Sequence, residues 1–155
     1  SSLVTCLSPA RDAVGGVSLA IVDDAGLDAS SGLEFLYEAS ATVVGVQPSS
    51  SLRAGQGQVV TVSGSHFVQT SDLSCRFGVA AATPGTFLSS SVVVCRAPGR
   101  ASGQVNVLVS NNGADACQGG ALFSYSPRIS ALSAVPSKGP ALGGTMVTVE
   151  GSLAD

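Results

Sequence analysis

The sequence predicts an all-β fold in which β-sandwiches follow one another in tandem. Short apolar runs alternate with polar residues at the two-residue period of a β-strand. No stretch shows the 3.6-residue period of an amphipathic helix. Glycine, proline and asparagine cluster between the runs, as expected for turns. These alternating runs also argue against a chain that is disordered throughout, although only 11% of the residues are charged.

Four segments alternate most clearly. Their predicted inward-facing residues are Val17, Leu19 and Ile21 in 17–22, Val60 and Val62 in 59–63, Val105, Val107 and Val109 in 104–110, and Ala121, Phe123 and Tyr125 in 121–125. The predicted turns between strands are "RAGQGQ" (53–58), "TPG" (83–85), "APGRASG" (97–103) and "SNNG" (110–113). About seven short strands in one repeat are typical of an immunoglobulin-type sandwich.

An internal repeat defines the domain organisation. Residues 3–37 match residues 92–125: Cys6 corresponds to Cys95 at an offset of 89 (95 − 6), and Tyr37 corresponds to Tyr125 at an offset of 88 (125 − 37). A second match places residues 46–67 on 134–154, again with an offset of 88 between the prolines (136 − 48).

The repeat predicts three pieces. Residues 1–39 form the C-terminal part of one domain, 40–126 form a complete domain, and 127–155 form the N-terminal part of a third. The strand "MVTVEG" (146–151) has no partner strands in the sequence that follows it. We therefore expect the chain to belong to a longer array.

The motifs of the repeat resemble a known family. "LSCRFG" (73–78), "VVVCRAP" (92–98) and "GGTMVTVEG" (143–151) are similar to the IPT/TIG domain, an immunoglobulin-like module of plexins, hepatocyte-growth-factor-type receptors and some transcription factors. Two departures are visible: "QGQVVTV" (56–62) lacks the usual double glycine, and "VEGSLAD" (149–155) lacks the usual aromatic residue. The resemblance implies an immunoglobulin-like sandwich for each repeat, and the short junctions described below predict that the tandem sandwiches form a rod-like array.

The cysteines are interpreted through this resemblance, which implies the disulfide-bearing extracellular branch and a disulfide between Cys75 and Cys95. Buried free thiols and a metal site are the alternatives, but the sequence has neither a CxxC motif nor a partnering histidine near them. Cys6 is expected to bond to a residue outside the sequence. Cys117 has no counterpart in the first repeat, so it is interpreted as an intermolecular partner or a free thiol.

Composition and motifs predict no catalytic, cofactor-binding or metal-binding residues. His66 is the only histidine, and no Ser–His–Asp arrangement is visible around it. Asp23, Asp24 and Asp28 resemble a calcium cluster in composition only, and a solvated loop explains them better. The seven basic residues are scattered, so we expect no nucleic-acid partner. A membrane-spanning helix needs about 18 or more consecutive apolar residues, and no apolar run in the sequence is that long. We therefore expect no membrane insertion of this segment.

The junctions between repeats are short. Only Ser126 and Pro127 separate the last strand of the complete repeat from the next repeat, which restricts the angle between domains. We therefore predict a non-catalytic extracellular or cell-surface protein that is structural or adhesive, such as a component of a cell-surface or ciliary filament. Its expected partners are neighbouring repeats or copies of itself, with O-linked glycan on the serine-rich stretches 47–52 and 87–92.

Two alternatives stay open. One is the ligand-binding stalk of a plexin-like receptor. The other is an accessory domain of a secreted carbohydrate-active enzyme.

Overall fold

The computed structural model describes residues 3–22, 24–26, 32–51 and 57–154. These residues form strands, turns and loops and no helix. The chain divides into two compact units, Ser1–Ser40 and Ala41–Asp155.

The first unit contains one two-stranded ribbon. β1 (Gly15–Leu19) pairs antiparallel with β2 (Leu33–Tyr37), so that Gly15 lies opposite Tyr37 and Leu19 opposite Leu33. Residues 3–14 form no strand. The observed strand β1 begins two residues earlier and ends three residues earlier than the predicted strand 17–22.

Nine strands of the second unit form an immunoglobulin-like β-sandwich in the described part of residues 41–125. Seven of them have four or more residues: β3 (Thr42–Gln47), β5 (Val59–Ser65), β6 (Ser74–Phe77), β7 (Thr83–Ser89), β8 (Val92–Arg96), β9 (Gly103–Ser110) and β11 (Ala121–Tyr125). β4 (Ser50–Ser51) and β10 (Gln118–Gly119) have two residues each and form the two edges. Such short edge strands leave few unpaired backbone groups for another chain to join.

The strands form one curled sheet in the order β10-β3-β5-β8-β7-β6-β9-β11-β4. β7 pairs with β8 on one side and with β6 on the other, both antiparallel, so it joins the two layers of the sandwich. The core lies between β3, β5 and β8 in one layer and β6, β9 and β11 in the other.

The alternation predicted for this sandwich is confirmed. Its buried residues include Val60 and Val62 in β5, Val105, Val107 and Val109 in β9, and Phe123 and Tyr125 in β11. The same prediction is wrong for Leu19 and Ile21 of the first unit, which are 41% and 48% exposed. Alternation identifies a face that is able to be buried, and a second layer must be present to bury it.

The predicted turn "TPG" (83–85) is wrong, because these residues begin β7. Thr83 and Pro84 pair with β6, and the pairing passes to β8 from Gly85 onward. The chain therefore crosses between layers at the Pro84–Gly85 bond. A Cβ atom at Gly85 would lie 3.1 Å from Val93 Cγ1 and 3.2 Å from Leu73 Cγ, so a side chain there would be tightly packed. Proline and glycine here mark a change of layer within a strand.

A second ribbon follows the sandwich. β12 (Arg128–Val135) pairs antiparallel with β13 (Thr148–Ala154), with a register shift between Ala131 and Ser133. The predicted strand "MVTVEG" begins two residues late, at Thr148. Leu132, Val135 and Val149 are exposed on this ribbon.

Candidate functional site

A disulfide joins the two layers of the sandwich. Cys75 in β6 is bonded to Cys95 in β8, with the two Cα atoms 6.3 Å apart. That separation lies within the range of protein disulfides. Both cysteines are buried in the core, where Cys75 lies opposite Val109 of β9 and Cys95 lies opposite Val60 of β5. The bond closes a loop across a sequence separation of 20, which stabilises the fold by about 3 kcal/mol in the loop-entropy estimate.

An aromatic cluster lies in the layer that contains β6, β9 and β11. The ring centroids of Phe77 and Phe123 lie 5.7 Å apart, and those of Phe123 and Tyr125 lie 5.0 Å apart, both with edge-to-face geometry. The guanidinium carbon of Arg100 lies 5.8 Å from the centroid of the Tyr125 ring. This is the distance of a cation–π contact.

The hydroxyl group of Tyr125 is the one buried side-chain oxygen of the described residues with no hydrogen-bond partner. Burial raises the pKa of Tyr125 above its ordinary value of 10.0, and the nearby charge of Arg100 opposes part of this rise. A buried hydroxyl without a partner costs free energy in the folded state. Tyr125 therefore contributes through its ring.

Cys117 is a half-buried free thiol that packs against the core. The Val109 amide donates a hydrogen bond to Cys117 Sγ at 3.1 Å, and the Cys117 amide donates to the Val109 carbonyl at 2.8 Å. The thiol is thus tied to the backbone of β9. Its pairing with another chain stays a prediction.

Cys6 is an exposed free thiol in the stretch 3–14, before β1. Sequence comparison aligns it with the disulfide-bonded Cys95. The first unit therefore places an unbonded cysteine where the complete sandwich has a bonded one.

The other candidates for chemistry are His66 and the aspartates of residues 23–28. His66 follows β5 directly, is exposed and has a positive φ of 58°. Its Nδ1 atom lies 3.3 Å from the Ser65 hydroxyl oxygen. Asp24 is exposed in a turn, whereas Asp23 and Asp28 lie outside the described residues. Among the described residues no group of three His, Cys, Asp or Glu side chains is placed to hold a metal ion. No helix in the described ranges is long and apolar enough to cross a membrane.

Asn111 is a structural residue that the sequence reasoning read only as part of a turn. Its side-chain oxygen accepts a hydrogen bond from the Val68 amide at 3.2 Å, and its side-chain nitrogen donates to the His66 carbonyl at 2.9 Å. The Thr70 hydroxyl donates to the Asn111 carbonyl. Asn111 thus holds the loop after β5 against the end of β9. No local signal in "SNNG" identifies a partner more than 40 residues away.

The ribbon β1–β2 reproduces the pair β9–β11 residue for residue. Gly15 opposite Tyr37 corresponds to Gly103 opposite Tyr125, and every further pair follows at the same offset of 88 (103 − 15). Phe35 and Tyr37 make the same edge-to-face contact at 5.0 Å. The guanidinium carbon of Arg11 lies 5.7 Å from the centroid of the Tyr37 ring, and that of Arg100 lies 5.8 Å from the centroid of the Tyr125 ring. The burial differs: Phe35 is 41% exposed, whereas Phe123 is fully buried.

The ribbon β12–β13 reproduces the pair β3–β5 in the same way. Ala131 opposite Gly151 corresponds to Val43 opposite Gly64, and both pairs are followed by the same register shift. Val149 is 62% exposed, whereas Val62, its equivalent in β5, is fully buried. Both ribbons therefore have the internal pairing of a sandwich and an uncovered apolar face.

Comparison with known proteins identifies the central domain. The IPT/TIG domain family matches residues 41–125. This range runs from the residue before β3 to the end of β11, so the match and the sandwich coincide. No curated protein sequence matches the chain.

Proposed function

Since this chain belongs to the IPT/TIG domain family, we propose that it is part of a non-catalytic extracellular array of immunoglobulin-like domains that serves a structural or adhesive role. IPT/TIG domains occur in adhesive, receptor and transcription-factor proteins and generally mediate protein–protein interactions. The observation that carries the proposal is the pairing of the two ribbons, which repeats that of the complete sandwich on both of its sides in sequence.

The domain organisation belongs to the same proposal. Residues 1–39 are the C-terminal part of one IPT/TIG domain, 40–126 are a complete domain, and 127–155 are the N-terminal part of a third. The uncovered apolar faces of the two ribbons support it, because an isolated two-stranded ribbon buries too little surface to be stable alone. Only Ser126 and Pro127 separate β11 from β12, which supports a stiff junction and a rod-like array.

The disulfide supports an extracellular or cell-surface location, since such bonds persist in oxidising compartments. The outer face of the sandwich supports packing between protein surfaces. Thr61, Val94 and Thr86 lie side by side across β5, β8 and β7, with Arg96 the one charged residue of β8. Small uncharged side chains of this kind allow close contact with neighbouring repeats or copies of the chain at little desolvation cost.

Immunogold electron microscopy tests this proposal. An antibody raised against residues 41–126 is applied to intact, unpermeabilised cells of the native source, and the same antibody preabsorbed with that domain is the control. We expect label on the cell surface at regular spacings along a filament or coat. Label found only after permeabilisation contradicts an extracellular role. Surface label at isolated points contradicts the array and favours a receptor stalk.

A further inference from the structure

The first unit carries an uncovered apolar face, formed by Val17, Leu33 and Phe35 of β1 and β2. Leu33 is 50% exposed and Phe35 is 41% exposed. The equivalent residues of β9 and β11 line the core of the sandwich, where Phe123 contacts Phe77 of β6. The pairing between β1 and β2 matches that between β9 and β11. In the sandwich β9 and β11 also have flanking strands, β6 and β4, and a covering layer, and these are the elements that the face lacks within the described residues.

Within the described residues, the stretch 3–6 before β1 has no neighbouring strand either. Residues 3–6, "LVTC", align with residues 92–95, "VVVC", which belong to β8 and lie between β5 and β7. Val93 is fully buried there, whereas Val4 in the first unit is 69% exposed and residues 3–6 form no strand. A strand sequence without neighbouring strands has no partners for its backbone hydrogen bonds. The uncovered face and this stretch therefore lack the same neighbours.

We propose that this face is covered by a segment of five strands similar to β3–β7, joined in sequence to residue 3, and that Cys6 forms a disulfide with a cysteine of that segment at the position of Cys75. The inference rests on the proposed tandem organisation and adds the partner of Cys6 and of the face. Phe35 then contacts a residue equivalent to Phe77. Residues 3–6 become a strand between the equivalents of β5 and β7.

The disulfide forms by thiol–disulfide exchange with an oxidised dithiol protein of the secretory compartment. The two cysteine thiols lose two protons and two electrons as the sulfur–sulfur bond forms. The disulfide of the oxidant takes up both electrons and both protons and becomes a dithiol.

A second copy of this chain fits the face less well. Its β12–β13 ribbon has the pairing of β3–β5, which in the sandwich belongs to the layer facing β9 and β11. That ribbon contains no cysteine between Arg128 and Ala154, so it leaves Cys6 unbonded. It also supplies no equivalents of β6 and β7, the strands that flank β9 and β8.

The test uses an extended chain in which a copy of residues 41–91 replaces Ser1 and Ser2 directly before Leu3, because Leu3 aligns with Val92. The matched control has Cys75→Ser in the added copy alone. After oxidative refolding, we expect iodoacetamide without reductant to label Cys6 in the unextended chain and in the control but not in the extended chain. Peptide mapping is expected to link Cys6 to the added copy of Cys75.

Hydrogen exchange of the β1–β2 amides gives a readout that does not depend on the cysteines. We expect exchange to slow by about tenfold or more in both the extended chain and the control, since a covering layer makes opening of the ribbon rarer. Unchanged exchange together with full labelling of Cys6 in the extended chain overturns the inference. A Cys6–Cys6 dimer of the unextended chain that persists after extension also overturns it. Neither result depends on the surface labelling that tests the proposed function.

Discussion

The strand pairs β1–β2 and β9–β11 have equivalent registers, and each carries an edge-to-face aromatic pair and an arginine that lies over a tyrosine ring. The apolar face of β9–β11 is nevertheless buried, whereas that of β1–β2 is exposed. The comparison separates the contribution of the local sequence of each strand pair from the contribution of strands that are distant in sequence. Local sequence sets the alternation and so the register in which the two strands pair. Burial and disulfide formation require strands that are distant in sequence. The same substitutions at matched positions of the two pairs therefore test each contribution.

The largest expected difference is at the matched phenylalanines. Phe123→Ala removes a fully buried ring that contacts Phe77 and Tyr125, so we expect a loss of about 3–5 kcal/mol in the free energy of unfolding of the sandwich. Phe35→Ala removes a ring that is 41% exposed and leaves the sandwich within about 0.5 kcal/mol of the parent chain. Chemical denaturation followed by circular dichroism measures both. Equal losses from the two variants contradict the comparison.

The matched cysteines come next. Replacing both Cys75 and Cys95 by alanine opens the covalent loop, and we expect the sandwich to lose about 3 kcal/mol. Cys6→Ala is the control, since the exposed thiol makes no bond in this chain and its loss leaves the urea midpoint unchanged. Urea denaturation with and without reductant measures the effect. A double variant as stable as the oxidised parent chain is incompatible with the disulfide as a stabilising link.

The matched tyrosines predict a smaller effect. Tyr37 donates a hydrogen bond to the Pro9 carbonyl at 2.8 Å, whereas the Tyr125 hydroxyl has no partner among the described residues. Tyr37→Phe removes a hydrogen bond, and we expect faster hydrogen exchange in the first unit. Tyr125→Phe removes a buried unpaired hydroxyl, and we expect the sandwich to gain up to about 1 kcal/mol. Thermal unfolding measures the gain, and a destabilised Tyr125→Phe variant shows that the hydroxyl is satisfied.

The smallest expected effect is a dependence on alkaline pH. Burial raises the pKa of Tyr125 in the folded state, so the unfolded chain loses the phenol proton first as the pH increases past 10.0. The folded sandwich then holds more protons than the unfolded chain, and its stability decreases as the pH rises through the pKa of the folded state. Tyr125→Phe is expected to flatten this decrease in denaturation curves collected between pH 9 and pH 11. An identical slope in both proteins excludes Tyr125 as its source.

The inward-facing residues were predictable from the sequence in strands whose alternating apolar residues are covered by a second layer. Val60, Val62 and the valines of β9 alternate strictly, and the sandwich buries all of them. Alternation did not reveal that Leu19 and Ile21 are exposed, because the pattern carries no information on whether a covering layer is present. Pro84 and Gly85 were misread as a turn, since the residues that favour turns also allow a strand to cross between layers.

The repeat was a better guide to the candidate site than any single motif. It aligned Cys6 with Cys95 and Tyr37 with Tyr125, and the structure adds that Arg11 and Arg100 lie over these two equivalent tyrosine rings. The hydrogen bond that the Asn111 side chain accepts and the one that it donates were not predictable, because they join residues 43 and 45 positions apart in sequence. The unpaired Tyr125 hydroxyl was not predictable either, since its environment depends on the packing of side chains around the ring.

The central claim is that β9–β11 is buried and β1–β2 is exposed because only β9–β11 is covered by a second layer of strands. The difference in burial does not come from the local sequences of the two strand pairs. Hydrogen exchange of the two strand pairs, measured in the unextended chain and in the chain extended by residues 41–91, tests it most directly. The account predicts weak protection of β1–β2 in the unextended chain and protection approaching that of β9–β11 after extension. Protection of β1–β2 that already equals that of β9–β11 without the extension, or that does not change with it, contradicts the claim.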